Sequence, residues 1–267
     1  MSVDKVRCRA EPLPSGRMQM RLTLAAPARC NSLEPSILLE LARGLDRARD
    51  EGAAVVTLRA EGRHFSTGGD VSAFLAACEA GNGDAYADQV VGLLQGIVRR
   101  LLSMPAIVLT AAQGAVTGGS AGLIFASDLV ILAEDAFLQP YFTAVGFSPD
   151  GGWSALLPER IGAGRALQIQ LTNERVDAAA ACALGLARQT VPTAHLDTAL
   201  DALTERIARD HDIDAMLDAK MLVWDDARLA RIDTRLEAEL RSFKRRIATA
   251  ASLKGMRAFL DQRAEAV

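Results

Sequence analysis

The sequence predicts an α/β core of stacked strand–turn–helix units followed by a long helical extension. Three observations predict it. Short apolar runs of strand length recur between stretches of helical periodicity. Two of these runs open into glycine loops, "FSTGGD" and "VTGGSAG". From about Gly162 onward, Ala, Leu, Arg and Asp at helical spacing replace the strand pattern almost to the end. The spacing of the units is too irregular for a simple solenoid.

Each element follows from local chemistry. "KVRCRAE" and "RMQMRLTLA" alternate across the turn "PLPSG" and read as a hairpin. "SLEPSILLELARGLDRARDEG" reads as a helix with Ser32 as its cap, Pro35 in its first turn and Gly52 as its stop. "AAVVTLRA" is a buried strand that ends in the loop "EGRHFSTGGD". The helix "DAYADQVVGLLQGIVRRLLSM" leads to the strand, turn and glycine cluster of "AIVLTAAQGAVTGG". "SDLVILAED" and "FLQPYF" supply a third and a fourth strand of this series. No low-complexity linker interrupts the chain, so residues 1–190 are expected to form the core and 191–267 a helical extension.

Composition narrows the function classes. The chain has 267 residues, half of them apolar and 24% charged, with a formal net charge of -3. That length buries a full core without disulfides or metal. It also offers no basic field for a nucleic-acid backbone or an anionic membrane, which leaves small polar or charged metabolites as partners. The opening "MSVDKVRCRAE" has no apolar stretch of signal-peptide length, and no apolar run approaches the roughly 18 residues of a membrane span. The expectation is a soluble, cytoplasmic protein. Cys8, Cys30, Cys78 and Cys182 are far apart and read as reduced, mostly buried thiols. With His64, His195 and His211 as the only histidines, a His-centred triad or multi-His metal site lacks its residues. His195 and His211 read as surface residues, and His64, beside a glycine turn, as structural.

The glycine loops carry the chemistry. Consecutive backbone N–H groups in such loops can converge on an anion, and two loops can give one donor each to a single developing oxyanion. Tight turns without a ligand fit the local pattern as well. Neither loop has the Lys-Ser/Thr of a phosphate loop or the dinucleotide glycine spacing. On pattern alone, Asp150 in "VGFSPDGGW" is an Asp-Gly turn that caps the next helix.

"HFSTGGDVSAF", "PAIVLTAAQGAVTGGSAGLIFASDLVILAEDAFLQPYFTAVGFSPDGGWSALLPERIG" and "ALQIQLTNERVDAAAACALGLARQTVP" occur in this order. Together with "GMRAFLDQR" near the end, they make the chain resemble the enoyl-CoA hydratase/isomerase (crotonase) family, especially its isomerase branch with an Asp in the third active-site loop, such as the epoxyphenylacetyl-CoA isomerases. The resemblance implies a crotonase-like spiral of stacked ββα units, assembled as a homotrimer or a dimer of trimers. It implies an acyl-CoA thioester substrate, with coenzyme A present only as part of it and no metal or redox cofactor.

The same resemblance assigns residues. The N–H groups of Gly69 and Gly119 would bind the thioester oxygen. The two glutamates of the hydratases are matched by Gly122 and Tyr141, which disfavours water addition by the two-glutamate route. Gly122 is expected to open space for an acyl group. Asp150 becomes the proton carrier of an isomerase, and Tyr141 either fills the acyl pocket or donates to a substrate oxygen. Phe142, Phe147 and Trp153 would cradle a ring or simply pack the core. Thr67, Gly69 and Asp70 match the CoA-binding loop, Arg29 would meet phosphate, and Phe259 and Arg263 match a C-terminal segment that covers the nucleotide end, where the extension would also form the trimer. Alternatives are CoA-ester hydrolysis, dehalogenation or hydration through Asp150, and, in another class, a non-catalytic acyl-CoA-binding protein.

Overall fold

Strand pairing sets the frame of the computed structural model, which describes residues 4–265, with side chains through Gln262. β1 (Val6–Pro12) and β2 (Met18–Leu24) form the expected antiparallel hairpin. α1 (Pro35–Asp50) follows, then β3 (Ala53–Ala60), α2 (Val71–Glu79), α3 (Gly83–Ser103), β4 (Ile107–Ala112), β5 (Ala115–Thr117), α4 (Ala121–Phe125), β6 (Leu129–Ala133) and β7 (Phe137–Gln139). Next come α5 (Phe142–Val145), α6 (Leu157–Ile161), α7 (Ala163–Leu171), β8 (Val176–Asp177), α8 (Ala178–Ala183) and β9 (Gln189–Val191). Four helices close the chain: α9 (Leu196–Asp210), α10 (Ile213–Val223), α11 (Asp226–Ile247) and α12 (Ala250–Glu265).

The strands build two sheets. One has the order β1-β2-β3-β4-β6-β9, parallel from β2 onward, and the other the order β5-β7-β8. β4 is buried along its whole length, as expected of a central parallel strand whose sequence is apolar apart from Thr110, and the Thr110 hydroxyl is paired with Ser127 Oγ at 2.6 Å. The chain then bends at Gln113-Gly114 and passes to the second sheet, so β4 is continued by β5 just as β6 is continued by β7. Gln113 Nε2 fixes that bend by donating to Ala60 O at 2.8 Å and Gly62 O at 2.9 Å. Repetition of this step makes the spiral.

Three sequence expectations need correction. Ser32 does not cap α1: the cap position is Glu34, and Ser32 Oγ donates instead to Gly68 O at 3.3 Å. The region after Gly162 is not all helix, because β8 joins β7 and β9 forms an edge of the large sheet beside β6. Strands of two and three residues are too short to display a period of their own. The four cysteines are free thiols, but they are half-buried rather than buried.

The last helices turn back on the core. α11 packs along α3, while α12 lies against α2 and α5. α11 has a buried stripe of Ile232, Leu236, Phe243 and Ile247, with Glu239 in the same line. Among the described residues, no helix is long and apolar enough to cross a membrane.

Candidate active site

The two glycine loops are knitted together by short polar contacts. Thr117 N donates to Ser66 O at 3.2 Å. Ser120 Oγ donates to Thr117 O at 2.8 Å and lies 3.1 Å from Ser66 O. His64 Nδ1 accepts from Ala115 N at 3.1 Å, a structural use of this ring. His195 and His211 lie exposed. Gly69 and Gly119 consequently line one cavity of about 220 Å³, together with Thr67, Tyr141, Asp150 and Phe259. Six of the eight phenylalanines of the chain, at 74, 137, 142, 147, 243 and 259, also line it.

Asp150 is the one carboxylate lining this cavity among the described residues. It is 8% exposed, and its Oδ1 is buried without a hydrogen-bond partner. It therefore does not cap the following turn as a simple Asp-Gly motif would. A methyl group placed on Gly119 would stand 2.8 Å from Asp150 Oδ1, so the carboxyl lies directly against the second glycine loop. Burial first, and then the negative charge of Glu239, push the Asp150 carboxyl up to about 8.

Close backbone packing creates this arrangement. A Cβ on Gly122 would meet Gly151 O at 2.1 Å, and one on Gly151, whose φ is +62°, would meet Gly119 O at 2.4 Å. Gly122 thus opens no space for an acyl group, contrary to expectation: the Gly151 backbone fills that volume. The two glycines let the Asp150 loop and the 118–122 loop touch main chain to main chain. Trp153 locks the contact by donating Nε1–H to Gly118 O at 2.7 Å. Its ring packs edge-on against Phe125 and Phe142, so Trp153 belongs to the core, while Phe142 and Phe147 face the cavity.

Tyr141 lines the cavity in a left-handed conformation, φ 61°, held by Tyr141 N donating to Asn173 Oδ1 at 2.8 Å. A non-glycine residue there is strained, and its ring meets Phe259 edge-on with centroids 5.8 Å apart. Next to the cavity, Arg29, Thr67, Gly69, Asp70 and Leu260 line an adjoining groove. Arg29 and Asp70 are ion-paired, and Asp70 also caps α2 through Ser72 N and Ala73 N. Burial pulls the Asp70 carboxyl upward, but the Ser72 and Ala73 donors and Arg29 outweigh it and hold it below its ordinary value. Arg263 falls on α12, and its side chain lies outside the described residues.

Sequence reasoning missed Glu239. This carboxylate is 4% exposed and accepts from Gly152 N at 2.9 Å, Ser154 N at 2.7 Å, Ser154 Oγ at 2.8 Å and Ala155 N at 3.0 Å. The available signal was an acid standing in the apolar stripe of α11.

Residues 18–266 match the family model for enoyl-CoA hydratase/isomerase. A probable enoyl-CoA hydratase of Rhodobacter capsulatus is 32% identical, covering 70% of this chain and 71% of that protein. The 1,2-epoxyphenylacetyl-CoA isomerase of Escherichia coli is 29% identical, covering 91% and 92%. The crystal structure of an enoyl-CoA hydratase from Bacillus halodurans superposes with a TM-score of 0.84 at 20% identity, covering 94% of this chain and 99% of that one. The spiral is the crotonase fold that the motifs imply.

Proposed function

Since the chain belongs to the enoyl-CoA hydratase/isomerase family, we propose that it isomerises a double bond or a strained ring in an acyl-CoA thioester, with Asp150 as the proton carrier. The observation that carries this reading is the lone buried carboxyl of Asp150, standing against Gly119 in an apolar cavity.

Ionised Asp150 takes a proton from a carbon of the acyl group: a C–H bond breaks, an O–H bond forms, and the electron pair moves onto the thioester oxygen. The N–H groups of Gly69 and Gly119 stabilise that oxyanion, each worth roughly 2.7–4 kcal/mol. The resulting carboxylic acid returns the proton to a second carbon, so nothing is consumed. A carboxyl held near 8 suits both transfers, because its proton is neither lost nor gripped at neutral pH. Hydration by the two-glutamate route is disfavoured by Gly122 and Tyr141, which stand where that route needs its carboxylates. The phenylalanine walls support a compact unsaturated or ring-bearing acyl group, and Tyr141 shapes its seat.

The groove of Arg29, Thr67 and Asp70, which Leu260 of α12 also lines, is the proposed seat of the CoA portion, with Phe259 at the wall of the adjoining cavity. Trimeric assembly and a cytoplasmic location belong to the same proposal. The test is a panel of 3-enoyl, dienoyl, aromatic-epoxide and haloaryl CoA thioesters given to wild type and Asp150→Asn. Wild-type turnover with solvent deuterium entering the product, both lost in Asp150→Asn, is expected. Equal turnover in the two proteins would sink Asp150 as catalyst, a trapped aspartyl ester would convert it into a nucleophile, and binding without turnover would favour the non-catalytic class.

A further inference from the structure

Glu239 has no part in the reaction just described, yet its carboxylate is buried on a helix far from the core in sequence. Such burial is unfavourable unless the charge is fully hydrogen-bonded. Neighbouring turns of the same stripe use Leu236 and Phe243, so an apolar side chain would satisfy packing alone. Glu239 instead meets four donors, three of them backbone N–H groups of Gly152, Ser154 and Ala155, and no cation pairs with it among the described residues. Those amides begin two residues after Asp150. The clamp is also continuous along one face of α11. Ser242 Oγ and Ser148 Oγ share a hydrogen bond of 2.8 Å, and Arg246 Nε donates to Gly146 O at 3.0 Å. Positions 239, 242 and 246 thus hold the loop on both sides of Asp150.

We infer that Glu239 is a positioning residue for Asp150: a carboxylate supplied by the C-terminal helices that pins the Gly152–Ala155 turn and so fixes the Asp150 carboxyl against Gly119. The role of Asp150 in it rests on the isomerase reading, while the geometry of the clamp does not. Burial raises both carboxyls, but four donors favour the ionised form of Glu239, none favours that of Asp150 Oδ1, and the charge of Glu239 raises Asp150 further. Glu239 is the one charged side chain acting on Asp150 among the described residues.

The test is a site-assigned ¹³C carboxyl titration by NMR on wild type, Asp150→Asn and Glu239→Gln, combined with kcat and KM on whichever thioester turns over. In wild type the carboxyl with a midpoint about 8 should be Asp150, with Glu239 releasing its proton before it. In Glu239→Gln an amide NH₂ faces the Gly152 N–H, donor against donor. The Asp150 midpoint should fall by roughly a unit or more, and kcat by on the order of tenfold, with KM within about twofold. A folded Glu239→Gln protein with lower thermal stability but an unchanged Asp150 midpoint and kcat overturns the inference and leaves a merely structural residue. If that variant does not fold, the wild type decides: Glu239 protonated while Asp150 is ionised overturns the inference. A wild type that turns over no thioester but shows the expected titration removes the isomerase reading and leaves the clamp standing.

Discussion

At the scale of single residues, the site is a contest between desolvation and hydrogen bonding. Asp150 loses water and gains no partner at Oδ1, so its carboxyl rises to about 8. As the proposed proton carrier Asp150 must be ionised to start, so kcat/KM should rise with pH through a midpoint near 8 and level off above it. A rate profile that is flat from about pH 6 to 9 would contradict this. Phe259 gives a second residue-scale prediction. Its ring meets Tyr141 at the cavity wall, so Phe259→Ala should raise KM several-fold while leaving kcat within about twofold, as loss of uniform binding does. Steady-state kinetics over a substrate series reads both constants. At this scale the sequence was informative where a motif names a residue, as with Asp150 and the two loop glycines. It was silent about Glu239, whose partners lie 84 to 87 residues away. Hydrogen bonds of that range leave no local pattern beyond an acid among apolar residues.

Among the elements, the decisive object is the pair of loops 118–122 and 150–155, which touch through main chain. The apolar strands and glycine turns that carry these loops were legible, because their periods and breakers are local. The contact between them was not, and it reverses the expected meaning of Gly122: the volume is occupied, not vacated. Restoring a glutamate there, Gly122→Glu, should therefore not restore hydration. The new side chain would collide with Gly151 O, which cannot retreat without carrying Asp150 away from Gly119. Calorimetry should find the variant destabilised by about 3 kcal/mol or more, or unfolded, and an enoyl thioester should gain no water. A stable, hydrating Gly122→Glu protein would show that the Asp150 loop moves freely, contrary to the packing of Gly151 and Trp153.

For the molecule as a whole, the helical extension is part of the site, since α11 and α12 supply Glu239, Phe243 and Phe259. Helical periodicity revealed that these helices exist, but not that they fold back against the Asp150 loop, because tertiary docking depends on surfaces that only the assembled spiral presents. Burying two carboxyls under those helices couples global stability to pH. Asp150 and Glu239 are both raised above their ordinary values, by burial in each case, so the folded state holds protons that the unfolded chain has already released. Unfolding then releases protons, and stability must fall as pH rises. For Asp150 the window opens near the unfolded carboxylate value of about 3.9 and closes near 8. Within it the loss approaches about 1.4 kcal/mol per pH unit for that one group. Below the window the contribution is fully present; above it both states are ionised and the slope from Asp150 vanishes. Asp150→Asn removes that term, so denaturant titrations at about pH 5 and 8 should show a shallower decline for the variant than for wild type. The variant should also be the more stable protein at the higher pH. Parallel declines in the two proteins would mean that Asp150 ionises in the folded state as readily as in the unfolded chain, contrary to a carboxyl raised to about 8.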